Sequence, residues 1–327
     1  MIVSDTGIQF GLRDLNRSPG IVACDARRIP HLRMVVTMLL VCATLATEAF
    51  AATNSELVPG SRLVFPYFDL RPGFGTLLII TNIGPAAATV TLEFYDTACA
   101  RQNAILGLSA GDTDLIDLSR VVSPNLTGSF QQGFVDAVTN DDVLLGSAVV
   151  SNGGDDWAVA YPAAPARRLS SGTTPFQPYP TRLFLPAFLT PGSLGSGGVV
   201  DGLLVLAAPH PTRPGAELPP QPIQPAFQVF RDKDTRNTSA SSVPAIGGPG
   251  PEVQEPLGHH AILPIGHLAG LTGSPAWGWL SVTNLAVDET GSPIGLVGVY
   301  LQTSIGPDGS SATAVRLWAD PSATPAP

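Results

Sequence analysis

Several groups of residues have types and spacings that could support chemistry. Gly107-Leu108-Ser109-Ala110-Gly111 fits the G-x-S-x-G nucleophile elbow, in which a strand feeds a sharp turn into a helix and lifts a serine hydroxyl beside a histidine. Here Asp112 to Leu118 reads instead as a polar turn and a short strand, and no histidine lies between Ala52 and Pro209. The motif is therefore read as a Gly/Ser loop, and a serine hydrolase centred on Ser109 is the least favoured function.

His259, His260 and His267 are close enough in sequence to suggest a metal site, with His210 as a further ligand. Adjacent strand residues point to opposite faces, however, so His259 and His260 do not readily share one ion. Asp112, Asp114 and Asp117 offer carboxylate oxygens, but the other positions of a calcium-binding loop are missing. No resident metal or cofactor is expected. Trp277 and Trp279, two apart on an expected strand, share a face and could form a sugar-stacking platform. The candidate ligand-binding residues are thus Trp277, His267 and His210, and a carbohydrate-binding module using Trp277 is the alternative function.

The elements that must position these residues are short strands. Leu77 to Ile80 runs into an Asn-Ile-Gly-Pro turn, and Thr89 to Tyr95 then alternates, with Val90, Leu92 and Phe94 on one face. Further strands are expected at Leu115–Leu118, Gly133–Val138, Leu144–Val150, Trp157–Tyr161, Leu203–Leu206, Ala261–Leu263, Trp277–Thr283, Leu296–Leu301 and Ala314–Trp318. With 34 Gly and 32 Pro in 327 residues, every apolar run is broken before a long helix could form.

An internal duplication organises these strands. Ser61-Arg62-Leu63-Val64-Phe65-Pro66-Tyr67-Phe68 recurs as Thr181-Arg182-Leu183-Phe184-Leu185-Pro186-Ala187-Phe188, and Leu126-Thr127-Gly128-Ser129 recurs unchanged at Leu271 to Ser274. The match places Phe230 on Phe94, Trp279 on Phe134, Trp277 on Gln132, and His259, His260 and His267 on Asp114, Leu115 and Val122. A position aromatic in both copies, such as Trp279, is read as core. The expected fold is all-β, with two tandem Ig-like antiparallel β-sandwich units related by duplication. Their bounds are 52–166 and 181–320, with a Ser/Thr/Pro-rich linker at 167–180, Pro-rich insertions in the second unit, and a tail at 321–327.

The run Leu77 to Gly84 followed by Thr89 to Asp96 resembles the bacterial secreted Ig-like modules of the CARDB type, in which Asn and Gly turn one core strand into the next. That resemblance covers unit one alone, since Ala207-Ala208-Pro209 replaces the turn in unit two. It implies a fold and no activity.

Residues 1–51 read as an N-terminal extension and signal peptide. Arg27, Arg28, His31 and Arg33 precede an apolar stretch from Met34 to Ala46, and Ala49-Phe50-Ala51 supplies a small-x-small cleavage pattern. The uncharged run is shorter than the about 20 residues that span a bilayer, so no stable membrane insertion is expected after cleavage. Cys99 is then the sole cysteine, and stability must come from packing. The formal net charge is −9 without basic stripes, which argues against nucleic acid as a partner. These features describe a secreted or periplasmic, non-catalytic envelope or extracellular protein, structural or adhesive in role, whose partner is an unidentified protein or glycan.

Overall fold

Short apolar runs between Gly, Pro, Asn and Asp leave strand pairing as the practical way to satisfy the backbone. The computed structural model describes residues 58–97, 100–122, 131–169, 176–189, 191–193, 199–210, 223–231, 241–243, 258–267, 277–306 and 309–319. The first half holds β1 (Arg62–Asp69), β2 (Phe74–Asn82), β3 (Ala88–Asp96), β4 (Arg101–Leu108), β5 (Thr113–Asp117), β6 (Gln132–Val138), β7 (Leu144–Asn152), β8 (Trp157–Pro162) and β9 (Ala164–Ala166). A four-residue helix, α1 (Leu118–Val121), follows β5 and is capped by the Asp117 carboxylate. The second half holds β10 (Arg182–Leu189), β11 (Gly192–Ser193), β12 (Val199–Ala207), β13 (Pro225–Arg231), β14 (Ser241–Val243), β15 (His260–Pro264), β16 (Trp277–Asn284), β17 (Val297–Gly306), β18 (Gly309–Arg316) and β19 (Trp318–Ala319).

These strands form four sheets. Sheet I runs β4-β3-β6-β1-β9 and sheet II β5-β2-β7-β8; sheet III runs β14-β13-β16-β10-β19, and sheet IV β11-β12-β17-β18 with β15 also on β12. The pairing plans of the two halves correspond, except that β11 on the edge of sheet IV has no counterpart among the described strands of sheet II. Arg62 faces Val138 as Arg182 faces Thr283, and both ladders slip at one point, between Phe65 and Phe68 in β1 and between Leu185 and Phe188 in β10. The registers also correct the sequence match. Tyr95 lies opposite Phe134 and Phe230 opposite Trp279, so Phe230 occupies the place of Tyr95 and not of Phe94. Likewise Ile80 pairs with Asp114 and Leu206 with Ala261, which puts His259 and His260 on Asp112 and Thr113. A one-residue slip matters because it moves a side chain to the opposite face.

The all-β expectation holds, but the two Ig-like sandwiches do not. The four sheets form a four-blade, propeller-like ring, and the residues from Glu56 to Pro327 make one compact unit. The reason lies in two-sided burial. Every residue of β1 is buried, so this strand has no wet face of the kind a two-layer sandwich leaves. The core that holds Phe65, Leu78, Ile80 and Phe94 also takes in Val205, Val299 and Leu301 from the second half. A separate cluster joins Val64, Phe134 and Ala164 to Ala207 and Val297. Leu204, Leu206 and Tyr300, on the other face of sheet IV, pack instead with Leu183, Leu185 and Phe188 of sheet III. Within the stretch read as a linker, Phe176 is buried and the Tyr179 hydroxyl donates to the Ala164 carbonyl at 3.2 Å. Residues 1–57, with the signal-like segment, lie outside the described residues, as do Cys99 and both Leu-Thr-Gly-Ser copies.

Candidate functional site

Sheet I places its charges on one face by register. Val64 of β1 lies opposite Asp136 of β6, which lies opposite Glu93 of β3. Alternation brings Arg62, Phe134 and Tyr95 to the same side. Arg62 Nε donates to Asp136 Oδ1 at 2.9 Å, and its Nη2 bonds Oδ2 of the same carboxylate. Its Nη1 donates to the His210 carbonyl at 2.8 Å, and its guanidinium sits 5.4 Å from the Phe176 ring centre and 5.7 Å from that of Tyr179. Glu93 accepts from the Tyr95 hydroxyl at 2.6 Å and from Arg101 Nη2 at 2.8 Å. Two carboxylates and two guanidiniums therefore run as a balanced ladder from the β4 edge into the middle of the molecule. Burial works against the Arg62 charge, but Asp136 outweighs it and holds the guanidinium protonated well above its ordinary range. The Tyr95 phenol is pushed up by burial and by its bond to Glu93. Each ionic group is compensated by a partner, the condition under which buried charge is tolerated.

This ladder was not legible as a site, because Arg62 and Asp136 are separated by 74 positions. One signal pointed to it: an arginine set in the same apolar run in both copies. In the second copy Arg182 donates to Ser281 Oγ at 2.9 Å, and Ser281 holds the register position of Asp136.

A second polar cluster closes the other end of β1. The Tyr67 hydroxyl donates to Asp69 at 2.7 Å, Gln132 donates to the same hydroxyl at 2.9 Å, and Arg71 holds Asp69 with Nη2 at 2.6 Å. Burial and the neighbouring Asp69 raise the Tyr67 phenol. Between the two clusters the β-bulge takes Pro66 and Tyr67 out of the ladder. The buried Tyr161 hydroxyl receives the Tyr67 N–H at 3.2 Å and donates to the Tyr67 carbonyl. Pro66 offers its carbonyl to His260 Nε2 at 3.0 Å. A carbonyl only accepts, so Nε2 carries the proton.

The histidines meet apolar surface and each other's neighbours. The His259 ring stands edge-on to Tyr95 at 5.5 Å and to Phe134 at 5.4 Å, and His260 lies 6.0 Å from Phe134. His259 immediately precedes β15 and His260 opens it, and both rings lie against Phe134. Burial brings both imidazoles down to about 4, a bond to the Pro66 carbonyl partly opposing the shift at His260. His259 Nε2 and His260 Nδ1 are buried without a protein partner. His210 follows β12; its ring is half-buried, with its basicity lowered by burial and by Arg62. His267 ends a 3-10 turn (Ile265–His267), and its side chain lies outside the described residues. Among the described residues no three His, Cys, Asp or Glu side chains are grouped to hold a metal.

Trp277 opens β16 opposite Leu189, and its side chain also lies outside the described residues. Trp279 is 38% exposed, against 2% for Phe134, whose register position it shares. The core reading of Trp279 is thus corrected. Phe134 is covered by the second half, whereas Trp279 lies on an outer face of sheet III, where its ring packs at 5.4 Å on Phe184. Ser109 lies exposed in a turn joining β4 to β5. The Ser109 carbonyl accepts from Asp112 N at 3.2 Å and from Asn82 Nδ2 at 2.9 Å. Asn82 also receives the Gly84 N–H at 2.9 Å, which explains the Asn-x-Gly pattern as a local side-chain turn. Asp112 and Asp117 bond backbone and hydroxyl groups of their own turns.

The chain matches no protein-family model and no curated protein. Among solved structures it is similar to Thermotoga maritima 1070, at 12% identity and a TM-score of 0.28, over 33% of this chain and 95% of that one. It is also similar to the CupB6 tip adhesin from Pseudomonas aeruginosa, at 10% identity and a TM-score of 0.13, over 79% of this chain and 98% of that one.

Proposed function

We propose that the protein is an exported, non-catalytic component of the envelope or extracellular space, structural or adhesive in role, which acts by binding a protein or glycan. The observation that carries the reading is where the polar chemistry goes. Arg62, Asp136, Glu93, Arg101, Tyr67 and Asp69 bond to one another within sheet I, and Tyr161 of sheet II bonds the Tyr67 backbone, bracing the fold. The export-type segment at Arg27 to Ala51 and the acidic charge balance support the location.

Two measurements test this reading on the full chain. Expression in a Gram-negative host, with fractionation and N-terminal sequencing, should yield a product beginning at Ala52 outside the cytoplasm. Retention of residues 1–51 in the cytoplasm would remove the export half of the proposal. A fluorophosphonate serine-hydrolase probe should give no labelling that depends on Ser109. Labelling lost in Ser109→Ala would overturn the non-catalytic half.

A further inference from the structure

Gly258 and His259 lead into β15, which His260 opens, and this end of the strand meets the first half. Among the described residues β15 ladders with β12 alone, from Leu203 opposite Pro264 to Ala207 opposite His260. The Ala208 N–H closes the end on the His259 carbonyl at 2.8 Å. Further along, Ala261 and Leu263 are buried in one cluster with Leu183 and Leu280 of sheet III, so the middle of β15 is anchored independently. The end itself is held by its two rings. His259 stands edge-on to the stacked Tyr95 and Phe134, and His260 Nε2 donates to the carbonyl of Pro66 in the β1 bulge.

These contacts suit neutral imidazoles. An imidazolium donates from both nitrogens. At His260 one N–H is taken by Pro66, and Nδ1 is buried without a partner; at His259 it is Nε2 that is buried without a partner. A second proton on either ring therefore creates a buried donor with nothing to accept it, a costly arrangement. The charges around them are engaged elsewhere. On β3, Glu93 is bonded to Tyr95 and Arg101, and Asp96 accepts from the Ala100 N–H. On β6 and β1, Asp136 is bonded to Arg62, and Asp69 to Tyr67, Gln132 and Arg71. On β12 the titratable group is Asp201, near the opposite end of the ladder from Ala207, and the half-buried His210 ring beyond β12 is another base.

We propose that this end of β15 is an acid-released latch: protonation of His259 and His260 lifts Gly258 to His260 off sheet I and uncovers the Tyr95–Phe134 stack, while the rest of the fold stays closed. A strand end held by one ladder opens at lower cost than the strands inside a sheet. Burial holds both rings at about 4 against an ordinary 6.5, so the released end binds protons more tightly than the seated one. For one imidazole the opening constant should rise about 20-fold between pH 7 and pH 5.

Amide exchange of the full chain, followed by NMR at both pH values and corrected for the intrinsic pH dependence of exchange, provides the test. The Ala208 amide reports the latch, and the amides of β7, inside sheet II, report the fold as a whole. In the wild type Ala208 should exchange well ahead of β7 at both pH values, and its protection should fall about 20-fold or more in acid. His259→Phe keeps an edge on the aromatic stack, and His260→Gln keeps a neutral donor for Pro66. In the double variant Ala208 should be equally protected at both pH values. Should that variant misfold by circular dichroism, each single variant should show a smaller acid response than the wild type. Ala208 exchanging only at the opening constant of β7 overturns the proposal, as does protection that acid leaves unchanged. So does an undiminished acid response in the double variant or in both single ones.

Discussion

Replacing Asp136 by Asn isolates the buried ion pair. The side chain keeps its size, but Arg62 loses a carboxylate that accepts at 2.9 Å from Nε and again from Nη2. Arg62 and Asp136 are each 1% exposed, so no water can replace that carboxylate. Breaking a buried pair from one side costs about 3–5 kcal/mol, most of it the orphaned charge. At about 2–4 °C per kcal/mol for a unit of this size, the unfolding midpoint should drop by roughly 6–20 °C. The double variant Arg62→Met/Asp136→Leu removes both charges and should recover most of that loss. It still forfeits about 1 kcal/mol from the bond to the His210 carbonyl. Denaturant titration followed by tryptophan fluorescence gives both values. A single-variant loss below about 1 kcal/mol, or a double variant worse than the single, would refute the desolvation argument.

Acid should destabilise the protein through His259 and His260. Their folded values sit at about 4 against an ordinary 6.5, so the unfolded chain binds more protons between those limits. Stability therefore falls as pH drops from about 6.5 to about 4, by up to about 3 kcal/mol per imidazole; a titration that stays flat there in wild type contradicts the burial. Tyr161→Phe should cost about 1–3 kcal/mol in thermal unfolding, because it strips both backbone groups of Tyr67 of their partner. Gly133→Ala should cost more than about 3 kcal/mol, since a Cβ there would lie 1.8 Å from the Tyr95 carbonyl oxygen. Gly107→Ala has open space around it and should change the midpoint by less than about 0.5 kcal/mol equivalent.

The sequence made strands readable where one face is buried and the next residue faces water. Val90, Leu92 and Phe94 alternate as expected and are all buried. The same pattern misleads at Glu93, which alternates away from Val90, Leu92 and Phe94 and is nonetheless buried, because a charge paired with Arg101 looks in sequence like a solvated one. Local periodicity reports that a face is covered and is silent on what covers it. That is why Val205 and Val299 gave no hint that they serve the first half. The Phe94-to-Phe230 match failed for a related reason: identity of type outweighed register, and register decides the face. Of the candidate site residues, His210 proved informative through its backbone carbonyl, which no side-chain motif could have indicated.

The position of β1 in the chain has a consequence for the order of assembly. Its backbone partners arrive with β6 and β9, its bulge is closed by Tyr161 and His260, and its arginine is capped by the carbonyl of residue 210. As the chain emerges from the ribosome, the earliest of the described strands is also among the last to be enclosed, and no prefix ending before His260 can finish it. Maturation of the two halves is thereby tied into one late, concerted event, with most of its contacts closing long loops, the slow regime of folding.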